Sequence, residues 1–343
     1  MMGKLKKLTG YRLFLPLSCL IIVLLINLIT TPTFFKITIN NGVLYGYIID
    51  VINRASELVV LAVGMTLVVS ASAGTDISVG AVMAVSAAVC TRVLAGGEVS
   101  VNEYANPYIL AVLAALAVAV VCGGFNGFLV AKLKIQPMVA TLILFTAGRG
   151  ISQLVTNGQI TYIRVDGYKL LGNNIPGIPI PTPIFVAVIV VALTYILLNK
   201  TAMGMYIQSV GINLKSVKII WMAYAFCGLC AGIAGLVASS RIYSADANNI
   251  GLNMELDAIA AVALGGNSLG GGRFSLLGSV IGAYTIQALT TTLYAMSVPA
   301  DQIPVYKAIV VILIVAVQSE ELKKFRKRLA SRHASGNVEG GVA

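Results

Sequence analysis

Few side chains in this sequence could do chemistry from within an apolar stretch. Asp76 stands in Ala73-Gly-Thr-Asp-Ile-Ser-Val-Gly80, a polar, glycine-bounded break between two hydrophobic runs. An ionisable group in such a setting is expensive and marks a functional candidate. The break exposes helix ends and backbone polar groups that can meet a hydroxylated substrate, with Ser78 beside the carboxylate. The same residues also suit a structural role, with Asp76 capping the following helix through backbone N–H groups near Ser78 and Val79. Asn126, in Gly123-Gly-Phe-Asn-Gly127, either lines a pathway or makes an interhelical hydrogen bond. Arg149, in Thr146-Ala-Gly-Arg-Gly-Ile151, lies late in its run and either snorkels to the interface or pairs with a carboxylate such as Asp76. Glu255 and Asp257 open a short apolar segment, where carboxylates favour the positive end of a helix dipole. Asn267 ends that segment and joins Asp76, Ser78 and Asn126 as a candidate for a substrate pathway.

Other chemistry is excluded by what is missing. The single histidine, His333, sits in a polar tail, which removes most histidine-based catalysis and metal binding. All five cysteines (Cys19, Cys90, Cys122, Cys227, Cys230) lie in apolar runs. Cys227 and Cys230 form a Cys-x-x-Cys with no second pair, so they read as small hydrophobes rather than a redox or zinc site. The glycine-rich run Gly265-Gly-Asn-Ser-Leu-Gly-Gly-Gly272 has no lysine and is no phosphate-binding loop. No His-Glu-x-x-His, Gly-x-Ser-x-Gly or dense carboxylate cluster is present. The chain is therefore not expected to be an enzyme, and it is expected to bind no cofactor of its own.

The elements that must carry these residues are membrane helices. Of 343 residues, 58% are hydrophobic and 11% charged. Soluble domains run at roughly 45–50% and about 25%. The mean hydropathy of +0.90 agrees. A bilayer core needs about 20 mostly apolar residues per crossing helix. Leu13 to Thr31 is the first such run and reads as a retained signal-anchor helix, since no small-residue cleavage site follows it. Further runs fall at about 44–72, 77–96, 107–131, 138–156, 183–199, 217–240, 275–297 and 303–319. Glu255 to Asn267 is too short to cross alone and reads as a half-helix or re-entrant piece. The expectation is an all-α, polytopic membrane protein with about ten transmembrane helices, one of them short. Small-residue pairs Gly123–Gly127, Gly228–Gly232 and Gly278–Gly282 mark helix-packing faces.

Positive charge sets the orientation. With ten spans and an inside N-terminus, one side holds Lys4, Lys6, Lys7, Arg12, Lys132, Lys134, Lys200, Lys215, Lys218 and Arg273, together with Lys323, Lys324, Arg326, Lys327, Arg328 and Arg332 in the tail. That is 16 of the 24 basic residues. The other side holds Lys36, Arg164, Lys169 and Arg241. The net charge of +11 is thus topology, not nucleic-acid affinity. The expected organisation is a cytoplasmic N-terminal tail over 1–12, a transmembrane domain over 13–320 and a basic cytoplasmic tail over 321–343, disordered beyond Ser331. The outer segment at about 157–182 is rich in Gly and Pro and reads either as a linker or as a surface for an extracytoplasmic partner.

Three motifs then carry a resemblance. Gly64-Met-Thr-Leu-Val-Val with Gly-Thr-Asp-Ile-Ser-Val-Gly80, Phe125-Asn-Gly-Phe-Leu-Val with Lys134-Ile-Gln-Pro-Met-Val-Ala-Thr-Leu142, and Glu255 to Phe274 resemble, in order, signatures of the ribose-type permeases of bacterial ABC importers. Ile49-Asp-Val-Ile-Asn-Arg-Ala55 and Ala245-Asp-Ala-Asn-Asn249 are most similar to members assigned to galactofuranose uptake. The resemblance implies an inner-membrane permease for a monosaccharide. It also implies a second permease, of the same or a different chain, a separate ATPase that binds ATP and Mg, and a periplasmic or extracellular sugar-binding protein. Two departures stand out. Ala73-Gly-Thr-Asp76 replaces the usual Gly-Gly-Ile-Asp. In the loop after Lys200, Tyr206 to Lys218 keeps one Gly-Ile-Asn but lacks an alanine pair, as though about two helical turns of the ATPase-docking helix were missing. By resemblance the docking candidates there are Gly211, Asn213, Lys215 and Lys218. The other class that ten spans and a broken helix suit is a secondary sugar transporter or facilitator working without ATP.

Overall fold

Backbone polar groups in hydrocarbon must be satisfied within their own segment, so long apolar runs have to be helical. A computed structural model describes residues 13–40, 42–212 and 216–318, and among them there are eleven α-helices. In chain order the first six are α1 Phe14–Thr30, α2 Tyr47–Ser72, α3 Val79–Leu94, α4 Tyr108–Ala131, α5 Pro137–Val155 and α6 Thr182–Lys200. The rest are α7 Met203–Ile212, α8 Val217–Ile242, α9 Met254–Leu264, α10 Leu276–Ala295 and α11 Ile303–Gln318. Pro137 and Pro183 stand in the first turns of α5 and α6, where a missing N–H does no harm.

The fold is a mostly helical, polytopic membrane protein, and the helices in the expected apolar runs are not all of membrane-crossing length. Six helices (α2, α4, α5, α6, α8 and α10) are long and apolar enough to cross a membrane. The runs at 13–31 and 77–96 form helices of 17 and 16 residues, and 303–319 gives one of 16. Apolar length overstates helix length here because chain breaks and strands take residues from the ends. Residues 43–45, for example, belong to a strand. The segment expected to be short is short, since α9 has 11 residues. In the loop expected to have lost a helix, the 10-residue α7 is present.

Helix α2 is the centre, with α8, α10, α6, α9 and α7 packed around it. Its residues from Leu58 to Met65 are all buried. Lipid tails are as apolar as leucine, so helices associate through close packing rather than hydrophobic drive. The predicted small-residue faces provide it. A Cβ on Gly123 would lie 2.3 Å from the Tyr224 carbonyl oxygen, and one on Gly228 would lie 2.3 Å from that of Ala119, which presses α4 onto α8. Gly278 and Gly282 do the same for α10 against α9, at 2.2 Å from the Gly265 carbonyl oxygen and 2.0 Å from that of Ala261. Cys227 and Cys230 lie where α8 meets Gly64 of α2, free and buried, acting as small packing residues.

Strands mark one end of the bundle. β1 (Thr38–Asn40) and β2 (Val43–Tyr45) form an antiparallel hairpin. β3 (Ser100–Val101) runs parallel to β4 (Thr161–Ile163), which is antiparallel to β5 (Ser244–Ala245). Three connections far apart in sequence thus share one sheet. The segment at 157–182 contributes β4 and the buried Tyr168, whose Oη donates to Ser239 Oγ at 2.7 Å, so it is a folded cap rather than a linker. The opposite end holds the 73–78 break, the α4–α5 turn with Lys132 and Lys134, α7, and the glycine-rich loop before α10.

Candidate functional site

The 73–78 break is built from both of its helix ends. Helix α2 stops at Ala73, which adopts the left-handed conformation (φ +52°) that glycine accommodates best. Gly74 then lies so near Pro137 that a Cβ would sit 2.4 Å from the proline ring. Asp76 turns back on its own chain. Its Oδ1 accepts from the Ser78 backbone N–H at 2.9 Å and from Ser78 Oγ at 2.7 Å. Asn126, on α4, donates Nδ2 to Ser78 Oγ at 2.8 Å and stands 3.4 and 3.5 Å from the two carboxylate oxygens. The Ile77 N–H donates to Thr141 Oγ1 of α5 at 3.2 Å.

The sequence candidates Asp76, Ser78 and Asn126 therefore come together, in a closed knot tying the break to α4 and α5. Asp76 is 1% exposed, and Ser78 and Asn126 are 0%. Among the described residues no cation pairs with Asp76. Its charge is met by hydrogen-bond donors alone, the arrangement that makes a buried carboxylate tolerable. Two buried groups are left over, Asn126 Oδ1 and Thr75 Oγ1, neither with a hydrogen-bond partner.

Arg149 neither pairs with Asp76 nor runs free to the interface. It donates to the carbonyl oxygens of Ala247 (2.9 Å) and Ile250, at the strand-bearing end. Late in α5, Arg149 lies beside the first turn of α3, since a Cβ on Gly148 would sit 3.0 Å from Ala81 Cβ, and the loop between β5 and α9 supplies its acceptors there. Glu255 is 4% exposed with Oε2 unpartnered, whereas Asp257 pairs with Lys307 of α11 at 2.6 Å. Both carboxylates lie in the first turn of α9, as the dipole argument requires.

Asn267 belongs to a separate network. Its Nδ2 donates to Ser279 Oγ at 2.8 Å and to the Val262 carbonyl at 2.9 Å, and its Oδ1 accepts from the Ser275 N–H at 2.6 Å. Thr66 Oγ1 of α2 also donates to Ser279 Oγ at 2.6 Å. Asn267 thereby fastens the glycine-rich loop, which reaches α2 through Gly272 N–H to the Ser70 carbonyl oxygen at 3.0 Å. Of the docking candidates, Gly211 falls within α7, Lys218 is exposed at the start of α8, and Asn213 and Lys215 lie outside the described residues. Beside α7 is a cleft of about 440 Å³, with Leu13, Asn199, Met205, Gln208 and Phe274 in its walls.

A second cleft, of about 470 Å³, opens at the strand-bearing end between α2, α8, α9 and α10. Arg54, Glu57, Arg241, Asp257 and Gln287 line it. Arg241 Nε donates to Glu57 Oε1 at 3.0 Å, and Nη2 to the Asn53 carbonyl oxygen at 3.3 Å. Sequence reasoning placed Arg241 in an outer loop and missed Glu57, Arg54, Lys307 and Gln287. A signal existed, because Glu57 and Lys307 are charges inside apolar runs, the type of residue that marks function in a membrane.

Membrane-length helices around a broken helix, buried polar knots and a cleft at each end define a polytopic transport protein. The chain belongs to the family described as branched-chain amino acid transport system/permease component, which matches residues 47–318. It is 43% identical over 327 residues to the galactofuranose transporter permease protein YtfT of Escherichia coli K12, covering 92% of each chain. It is 36% identical over 346 residues to the fructose import permease protein FruF of Bifidobacterium longum, covering 96% of this chain and 94% of the relative. To the ribose import permease protein RbsC of Escherichia coli K12 it is 34% identical over 320 residues, covering 89% and 93%. No solved structure matches the chain significantly. The resemblance drawn from three motifs to the sugar permeases of ABC importers thus holds along nearly the whole chain, and these relatives are transport permeases, not enzymes.

Proposed function

We propose that this chain imports a monosaccharide, galactofuranose or a related sugar, across the bacterial inner membrane, as the permease of a complex whose ATPase is a separate subunit. The observation that carries this reading is the 43% identity to a galactofuranose permease, sustained over 92% of both chains. The absence of a nucleotide-binding motif agrees, since ATP and Mg then belong to the partner ATPase. The chain crosses the membrane about ten times, with α1, α3, α9 and α11 completing the six longer helices, and both termini are cytoplasmic. The basic-residue asymmetry supports that orientation. The strand-bearing end then faces the sugar-binding protein, and the segment from α7 to the start of α8 contacts the ATPase, with Gly211 and Lys218 as docking residues together with Asn213 and Lys215, which lie outside the described residues. A second permease, the same chain or another, completes the pathway. Asp76, Ser78, Asn126 and Asn267 hold the broken helix and the glycine-rich loop that border it.

Uptake of labelled galactofuranose into vesicles tests the reading. Accumulation is expected only when ATPase, ATP and binding protein are all present, and it should survive collapse of the proton gradient. Uptake by the chain alone, or loss of uptake with the gradient while ATP is held, would establish the secondary-transporter class instead.

A further inference from the structure

The cleft at the strand-bearing end has a chemistry of its own. Its volume of about 470 Å³ falls within the roughly 300–1,000 Å³ of small-molecule sites. Two cations, Arg54 and Arg241, and two anions, Glu57 and Asp257, line it, so the walls carry no net charge. Three of these four groups are already engaged. Glu57 is held by Arg241, with side chains 15% and 16% exposed, and Asp257 is held by Lys307, with side chains 20% and 16% exposed. A pair of this kind leaves little free charge to select an ion, but it keeps acceptor lone pairs and guanidinium N–H groups in fixed positions. Arg54 is different: it is exposed at the cleft and makes no ion pair among the described residues. Gln287 adds an amide, whose Nε2 makes only a long bond of 3.3 Å to Thr291 Oγ1, and Tyr294 adds an aromatic face. Balanced charge, interleaved donors and acceptors, and one aromatic ring suit a neutral polyhydroxylated ligand better than a phosphate, a cation or an acyl chain.

The position is equally specific. Residues 49–55 and 245–249, far apart in the chain, both reach this cleft, with Arg54 and Asn249 in the lining and the Asn53 carbonyl bound to Arg241. A second, more apolar cleft of about 460 Å³ shares Leu252, Asp257, Thr290 and Tyr294 with the first, so the Asp257–Lys307 pair stands between the two. We propose that the cleft between α2, α8, α9 and α10 is a monosaccharide entry site, in which Arg54, Gln287 and the Glu57–Arg241 pair bind sugar hydroxyls before the sugar moves on. The assignment rests on the sugar-permease reading and adds to it a location and residues.

Leu252, 54% exposed in the cleft wall, provides a reporter. In the full importer in lipid nanodiscs, L252C is labelled with a negatively charged thiol reagent while galactofuranose, ribose and fructose are titrated separately. At least one sugar should slow labelling in a saturable way, and the wild-type chain, whose native cysteines lie in apolar runs, sets the background. In the R54A L252C chain the half-protecting concentration should rise about tenfold, the size of one lost charge-assisted hydrogen bond. Q287L should also weaken protection, by a smaller factor. Wild-type uptake of a sugar that gives L252C no protection would overturn the entry site while leaving the permease reading intact. Protection unaltered by R54A and Q287L would overturn the assigned residues. If the wild-type importer takes up none of the three sugars, the substrate reading itself fails, and the entry site with it.

Discussion

The knot around Asp76 and the cleft around Glu57 are both polar sites inside a membrane protein, yet they solve opposite problems. In the knot, one carboxylate is met by a backbone N–H, a hydroxyl and an amide, with all three residues at most 1% exposed. In the cleft, Glu57 and Asp257 are paired across helices, Arg54 makes no ion pair among the described residues, and these charges face about 470 Å³ of open space. The knot carries the denser sequence motif and the cleft the more accessible chemistry. A conspicuous motif in a membrane helix can therefore mark a joint rather than a contact with substrate. Substitutions in the knot should be read first in stability, and substitutions in the cleft in ligand binding.

The largest effect is expected at the crossing that presents Asn126. G123L would drive a side chain into the Tyr224 carbonyl, 2.3 Å from the position of its Cβ, and backbone there cannot yield as a flexible side chain could. Overpacking costs roughly 1–3 kcal/mol and occasionally more. Detergent-solubilised G123L should lose most of its monodisperse, folded fraction. A melting temperature equal to that of the native chain would show that α4 and α8 do not meet as described.

Next comes Asp76. D76A leaves the Ser78 backbone N–H and hydroxyl without their acceptor, while Asn126 keeps Ser78 Oγ, at roughly 1–3 kcal/mol for each buried group left unsatisfied. Thermal unfolding should shift down, and transport should fall in step with folded protein. D76N keeps an acceptor oxygen toward Ser78, and should retain both folding and transport per folded molecule. A D76N chain that folds normally and does not transport would make the charge itself functional and erase the contrast between knot and cleft.

The smallest expected change is a gain. Ala73 holds a left-handed conformation with a Cβ in place, and relief of that strain by A73G should raise stability by about 1 kcal/mol. A drop instead would mean that the Ala73 methyl contributes more through packing on Gly271 than its backbone strain costs.

Much of this was legible beforehand because the relevant physics is local. The apolar runs had to become helices, and the glycine pairs marked where those helices touch. Asp76, Ser78 and Asn126 could be named as candidates because charge and amide are rare in such company. What stayed hidden depends on pairs of residues far apart in the chain. Arg241 reaches Glu57 across 184 positions, Lys307 reaches Asp257 across 50, and neither spacing leaves any periodic trace. Arg149 shows the reverse error: a carboxylate was within reach by residue type, but a loop distant in sequence offers the carbonyls of Ala247 and Ile250, and the guanidinium donates to those instead.

The sequence by itself determined the solvent, the helical class, the shortness of α9 and the packing faces, because each follows from side-chain hydrophobicity and size along a single segment. Only the tertiary structure decided whether a polar residue is closed in or open to a cavity. That depends on which other helices supply its partners, and in lipid the close approach of small residues, not the polarity of the residue concerned, brings those helices together.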